Sequence, residues 1–368
     1  MGERNNKWRK RLDKYCGCPL LFTLGLFHHK KKISAPRNGA SFVILKTAGM
    51  GDTIITDAVI HEIKAAYPDS SITFISSKAN YGMAKTLEHI DRVYNFEMGK
   101  PLKSLKECAN LGHFDYCLDF APWARINAVI SYVLNADYKV GFKRKGMYRH
   151  YIYDKAVEHS DELHEVDNFR NILKAIGVPL HSYNPEFHPE KSDFISKPYI
   201  VFHLFPAGSC VLLRKWADEN WIVLGQKIYE KYGCRIVLSG GKEDTAPAEQ
   251  VVSVLKEKGV DVENIAGKYN LRQMIDILGG ARLLVSVNTG IMHMGAAVGV
   301  PMVALHGATS VKRWGPLSDK AVNVLSRESC QPCISLGFES NCKDPVCMRH
   351  ITVDMVMNEI EKMKGVFA

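Results

Sequence analysis

The sequence predicts an α/β protein made of two doubly wound halves, each a parallel sheet with helices on both faces. Three observations carry this. From residue 41 onward, short β-branched runs alternate with helix-length amphipathic stretches, and βα alternation implies a parallel sheet. The alternation stops in a segment holding Pro179, Pro185, Pro189 and Pro198, then restarts at Tyr199. The chain of 368 residues is too long for one ordinary core and suits two domains of roughly 150 residues plus extensions.

In the first half, Ser41-Phe-Val-Ile-Leu-Lys46 reads as a buried strand, Asp52–Tyr67 as a helix stopped by Pro68, and Ser71-Ile-Thr-Phe-Ile-Ser76 as a second strand. Strand signals recur at Arg92–Phe96 and Tyr116–Phe120, each with a helix after it, and His164–Ile176 reads as a closing helix. The second half reads as strands Tyr199–Leu204, Cys234–Leu238, Val262–Ile265, Leu283–Val287 and Met302–His306. The helices between them are Asp218–Tyr232, Glu243–Lys258, Leu271–Leu278 and Ile291–Val298. The expected division is an arm over 1–40, a domain over 41–180, a linker over 181–198, a domain over 199–350 and a last helix over 351–368. Two doubly wound halves put the expected site in a cleft between them, at the C-terminal ends of the strands.

The charge is unevenly placed. Lys and Arg number 48 against 39 Asp and Glu, a net +9, and residues 1–40 alone carry +8 of it. The remainder is close to neutral, which argues against a nucleic-acid binder despite the basic total. Between two basic clusters the arm holds Tyr15-Cys-Gly-Cys-Pro-Leu-Leu-Phe-Thr-Leu-Gly-Leu-Phe27, too short to span a bilayer. His28-His-Lys-Lys-Lys32 stands where a secretory cleavage site would have to be. Two readings stay open: an arm lying on an anionic membrane surface, or a terminal helix packed on the protein's own body. Ten scattered cysteines without a secretory signal indicate a reducing, cytoplasmic compartment.

Candidate chemistry collects at strand-to-helix turns. Lys46-Thr-Ala-Gly-Met-Gly-Asp52 joins the first strand to the first helix, where backbone N–H groups can receive an anion. Ile54 in place of a third glycine, and no acid after the second strand, exclude a nicotinamide-binding fingerprint. Asp52 is either an N-cap or a carboxylate held at a strand end as a general base. In the second half, Val287-Asn-Thr-Gly-Ile-Met-His293, Ser239-Gly-Gly-Lys-Glu-Asp244 and Phe205-Pro-Ala-Gly-Ser209 with Arg214 make three such turns, suited to phosphates and ribose hydroxyls.

These residues resemble a known family. Lys46–Thr53 with Tyr67-Pro68-Asp69 is similar to the opening of the ADP-heptose:lipopolysaccharide heptosyltransferases, glycosyltransferase family 9. Asn288–Pro301, His306-Gly-Ala-Thr309 and Arg313-Trp-Gly-Pro316 look like its donor-domain signature. The resemblance implies a GT-B fold, an N-terminal acceptor domain, a C-terminal nucleotide-sugar domain and a last helix that crosses back to the first. It implies an inverting, metal-independent transfer of a sugar, heptose from ADP-heptose, to a lipid-linked saccharide such as lipopolysaccharide core. Carried over by position, Asp52 is the catalytic base, with Lys46, Thr47 and Gly51 on the acceptor side. Ser209, Arg214, Glu243, Asn288, Thr289, Gly290 and His293 hold the donor. Members usually have Asp before the Thr-Gly and often Arg where this chain has Lys46, so the donor sugar and nucleotide stay open. The rival readings are a member using another nucleotide sugar for a different surface polysaccharide, and a membrane-attached binding module without catalysis.

Cys330-x2-Cys333-x8-Cys342-x4-Cys347 is compact enough for a structural zinc, and equally consistent with reduced thiols or a disulfide pair. Lys143-Arg-Lys145 and Arg149 read as a second basic patch on the acceptor half, either solvated or facing acceptor phosphates.

Overall fold

The computed structural model describes residues 11, 13–191, 193–196, 198–208, 210–336, 340, 342–363 and 365–367. The chain forms two compact units, Met1–Pro185 and Glu186–Ala368.

In the first unit, a helix α1 (Gly17–Leu26) precedes β1 (Ser41–Leu45), α2 (Met50–Ala66), β2 (Ser71–Ser77), the short α3 (Tyr81–Ala84), β3 (Arg92–Phe96) and α4 (Pro101–Ala109). There follow β4 (His113–Asp119), α5 (Arg125–Val133), β5 (Asn135–Lys143), β6 (Lys155–Glu158) and α6 (Glu165–Ala175). The strand order is β3-β2-β1-β4-β5-β6 with every pair parallel. The central strand β1 is apolar over Phe-Val-Ile-Leu and buried along that run, as a strand covered on both faces must be. Its register, Leu45 opposite Asp119 and Ile75, sets the ends of β1 and β4 level with β2 two residues longer, so the loops after them share one edge.

The second unit repeats the plan with β7 (Tyr199–His203), α7 (Asp218–Tyr232), β8 (Arg235–Ser239), α8 (Thr245–Glu257), β9 (Val262–Asn264) and α9 (Leu271–Gly280). It continues through β10 (Leu283–Val287), α10 (Gly290–Val298), β11 (Met302–Leu305), α11 (Val311–Trp314), β12 (Ala321–Val324), α12 (Val346–Arg349) and α13 (Val353–Lys362). The order β12-β11-β10-β7-β8-β9 is again all parallel. Trp216 and Trp221, both fully buried and edge to face at 5.1 Å, anchor its core beside Phe202.

Several expectations change. The 181–198 segment is no free linker. Glu62, fully buried, accepts from the backbone N–H of His181 and Tyr183 in the first unit, while Phe187 N–H donates to Ala297 O in the second. The last helix packs on the second unit itself. Val356, Met357 and Ile360 of α13 bury into the second unit's own core, and Lys227 and Lys231 of α7 pair with Asp354 and Glu361. Arg149 is not part of a basic patch. It is fully buried against Asp119, Ala121 O and Tyr153 Oη, while Lys143 pairs with Glu158 and Arg144 with Asp161. No helix among the described residues is long and apolar enough to cross a membrane.

Candidate active site

The edge of the first sheet is organised by Lys46, the residue after β1. Its side chain is 3% exposed, and its Nζ lies 3.1 Å from Asp52 Oδ1, donates to Phe120 O at 3.1 Å and stands 4.9 Å from the centre of the Phe169 ring. A carboxylate, a carbonyl and an aromatic face thus surround one ammonium and fix it. Gly49 at φ +87° is the residue that caps α2, a left-handed conformation that a side chain would strain. Asp52 is therefore not the N-cap. It sits in the first turn of α2, where the helix dipole favours a carboxylate.

The loop is held from behind. Asn80 Nδ2 donates to Lys46 O at 2.6 Å and to Thr53 Oγ1 at 2.8 Å, Ser77 Oγ donates to Thr47 O, and Thr47 Oγ1 donates to Asn127 Oδ1 at 2.8 Å. Thr47 is therefore a support of the turn, and Gly51 is the second residue of α2. Neither Asn80 nor Asn127 was visible as functional in the sequence. Ser77-x-x-Asn80, a turn in which Ser77 N–H donates to Asn80 Oδ1, is the one local signal that could have found the first.

The second unit gathers most of its expected residues at the C-terminal ends of β10 and β11. Thr289 caps α10, Gly290 begins it, and His293 lies one turn in, 6% exposed. Arg214 Nη1 donates to Asn288 O at 3.0 Å, which brings a guanidinium to the same turn. Asn288 Nδ2 faces Trp314 O at 3.3 Å and His306 Nδ1 at 3.4 Å. Trp314 O can only accept, so an amide donor suits position 288, and a carboxylate there would face that carbonyl without a proton to offer. Glu243 lies apart, in the short turn Lys242–Asp244 that follows β8. Ser209 lies outside the described residues.

Three buried polar atoms at this edge have no hydrogen-bond partner among the described residues: Thr289 Oγ1, Thr309 Oγ1 and His306 Nε2. Buried polar groups are normally satisfied, so a cluster of exceptions at strand ends marks a place for a ligand's polar atoms. Burial pushes the His306 imidazole down to about 4, and that of His203, bonded to Ser239 Oγ at 3.0 Å, to about 4 as well. Both rings are neutral at physiological pH. A cavity of about 290 Å³ opens beside His306, with Gly307, Thr309, Arg327, Glu328 and Gln331 in its wall.

The four cysteines expected to cluster differ in exposure. All four are reduced, Cys330 and Cys342 exposed, Cys333 intermediate and Cys347 buried, and no three His, Cys, Asp or Glu side chains among the described residues are arranged to hold a metal. Burial, followed by the charges of Cys333, Cys330 and Cys342, pushes the Cys347 thiol up to about 11, which keeps it protonated.

The family model described as glycosyltransferase family 9 (heptosyltransferase) matches residues 104–342. The lipopolysaccharide core heptosyltransferase OpsX of Haemophilus influenzae is 24% identical over 89% of this chain and 97% of its own length. Lipopolysaccharide heptosyltransferase 1 of Pseudomonas aeruginosa is 26% identical over 54% of this chain and 59% of its own. Among solved structures, E. coli ADP-heptose lps heptosyltransferase II superposes with a TM-score of 0.73 at 17% identity, covering 88% of this chain and 98% of that one. E. coli heptosyltransferase WaaC with ADP gives 0.70 at 17% identity, covering 88% and 99%. These two likenesses bear out the two-sheet GT-B architecture, and the family match extends well beyond half of the sequence: the chain belongs to glycosyltransferase family 9, the heptosyltransferases.

Proposed function

We propose that this glycosyltransferase moves a heptose from ADP-heptose to a lipid-linked saccharide of the lipopolysaccharide core type, with inversion, at the inner face of the cytoplasmic membrane. The observation that carries the reading is Asp52 in the first turn of α2, held by the buried Lys46. In that reading Asp52 takes the proton of the acceptor hydroxyl as its oxygen attacks the anomeric carbon, and ADP leaves from the opposite side. The α10 N-terminus, with Thr289 and Gly290, receives the diphosphate, and Arg214 adds a positive charge as the leaving group develops its own. Lys46, Thr47 and Gly51 shape the acceptor side, while Ser209, Glu243, Asn288 and His293 complete the donor side. These groups neutralise a diphosphate without requiring a metal, and the cysteine segment is given no part in the transfer.

A second reading, another nucleotide sugar and another surface polysaccharide, is favoured by Asn288, whose amide replaces a charge near the donor. A panel of ADP- and UDP-sugars, scored by nucleotide release with and without a core saccharide acceptor, tests the pair. Acceptor-dependent release of ADP from ADP-heptose alone is the expected result. Release from a different donor moves the protein to the second reading, and tight nucleotide binding without release from any donor marks a binding module.

A further inference from the structure

One face of α1 is occupied within the protein. Leu21 is fully buried with Ala128, Val129, Ile152 and Tyr153, and Leu24 packs beside them. A Cβ on Gly17 would lie 2.9 Å from Arg125 Cδ, and one on Gly25 2.7 Å from Tyr151 Cβ, so at both points the helix backbone touches the body. Arg125 pairs with Asp13 at 2.8 Å before the helix, and Lys31 N–H donates to Asp154 Oδ1 at 2.8 Å after it. The arm is fastened at both ends.

The other face turns outward and is apolar too. Tyr15 is 69% exposed, Phe22 54%, Leu26 64% and Phe27 71%, with Leu20 beside them, and residues 15–27 contain no charged side chain. A helix apolar all the way round is normally covered on every side. The outward surface continues onto the body, where Tyr151 stands edge-on to Phe22 at 5.9 Å and stacks on the half-exposed Tyr148. Exposed cations border it: Arg11 and Lys14 before the helix, Lys30, Lys31 and Lys32 after.

We propose that this surface is a fixed lipid-contact face, seated in the interface of a bilayer with anionic headgroups, and that it holds the catalytic edge of the first sheet toward that bilayer. The apolar side chains enter the acyl boundary while the flanking lysines and arginines meet lipid phosphates. A second copy of the chain fits the face poorly, because it would bring the same cations together. The orientation follows from the seat. Gly17 meets Arg125, the first residue of α5, which follows β4 at the edge that carries Lys46 and Asp52. The proposal rests on the reaction above only for its purpose, a lipid-linked acceptor, and its test needs no turnover.

The full chain is mixed with vesicles of phosphatidylethanolamine and phosphatidylglycerol, and bound protein is measured by flotation. Wild type floats; the variant Leu20→Ser/Phe22→Ser/Leu26→Ser/Phe27→Ser binds about tenfold less or weaker still, with an unchanged melting temperature. Hydrogen exchange of vesicle-bound wild type is expected to slow in residues 146–150 as well as in 15–27. Equal flotation of variant and wild type overturns the face as the lipid contact. So does a wild type that stays unbound and forms a concentration-dependent dimer abolished by the variant. Slowing confined to 15–27 overturns the fixed orientation and reduces the arm to a tether.

Discussion

At the C-terminal edge of the first sheet the charged groups already have their partners: Lys46 with Asp52, and Arg149 with Asp119 and Tyr153. The unpartnered atoms among their neighbours, Asn127 Nδ2 and Arg149 Nε, belong to side chains that are bonded elsewhere. At the corresponding edge of the second sheet, Thr289 and Thr309 each bury a hydroxyl, the one polar group of the side chain, that has no partner among the described residues. The same fold therefore serves two ends. The first edge holds its charged groups in fixed pairs, and the second leaves buried polar atoms without a protein partner among the described residues, the arrangement that the proposed base and the proposed donor site respectively require.

The comparison is broken most directly at Asp52. Asp52→Asn keeps the side-chain volume and removes the proposed base, so kcat should fall by roughly 10²–10⁴-fold, while ADP affinity, which the proposal places in the second unit, stays within about twofold. Initial rates of ADP release and calorimetric ADP titration measure the two. Wild-type turnover would leave Asp52 as a partner of Lys46 and nothing more.

Acid should separate the two units next. His203 and His306 both lie in the second unit with pKa values pushed down by burial to about 4, below the ordinary 6.5. The unfolded chain therefore binds more protons than the folded one between those values. The stabilisation is complete above pH 6.5 and is lost as pH falls toward 4, on the order of a few kcal/mol for the pair. Hydrogen exchange from pH 7 to pH 4.5 should show β7, β10 and β11 losing protection before β1 and β4. A loss that begins in the first sheet would contradict the assignment.

How much of this the sequence disclosed depended on which residues carried it. The central strands were legible because continuous apolar runs such as Phe42–Leu45 and Leu283–Val287 have one structural use in an alternating βα chain. Three other strands, β5, β6 and β12, were not. In β5, Asn135-Ala-Asp-Tyr-Lys-Val-Gly-Phe-Lys143 mixes poor strand formers with charge, and β6 and β12 are four residues each, too short for a pattern to repeat. In the site, glycine-bearing turns announced Asp52 and Thr289, since their geometry is local. The supporting roles of Asn80 and Asn127 and the pairing of Arg149 with Asp119 were hidden because those contacts join residues 27 to 80 apart, and only the Ser77–Asn80 turn leaves a local trace. Of the two readings of the arm, the structure shows the packed helix on one face of α1, and it leaves the other face exposed.

The finest test of the contrast exchanges one hydroxyl in each unit. Thr47 Oγ1 bonds Asn127 Oδ1, and Asn127 is fully buried with its Nδ2 already unpartnered, so Thr47→Val leaves a whole amide stranded. The expected cost is about 1–3 kcal/mol of stability. Thr289→Val removes a hydroxyl that bonds nothing among the described residues and makes no side-chain cap bond to α10. Its stability should hold or rise slightly, while ADP affinity falls by about tenfold, close to 1.4 kcal/mol, because the lost bond is one made only to ligand. Chemical denaturation and ADP titration of the two variants read this directly. Opposite signs in the two assays are required: a destabilised Thr289→Val protein with unchanged ADP affinity would mean that its hydroxyl serves the fold, and the distinction between the two edges would fail there.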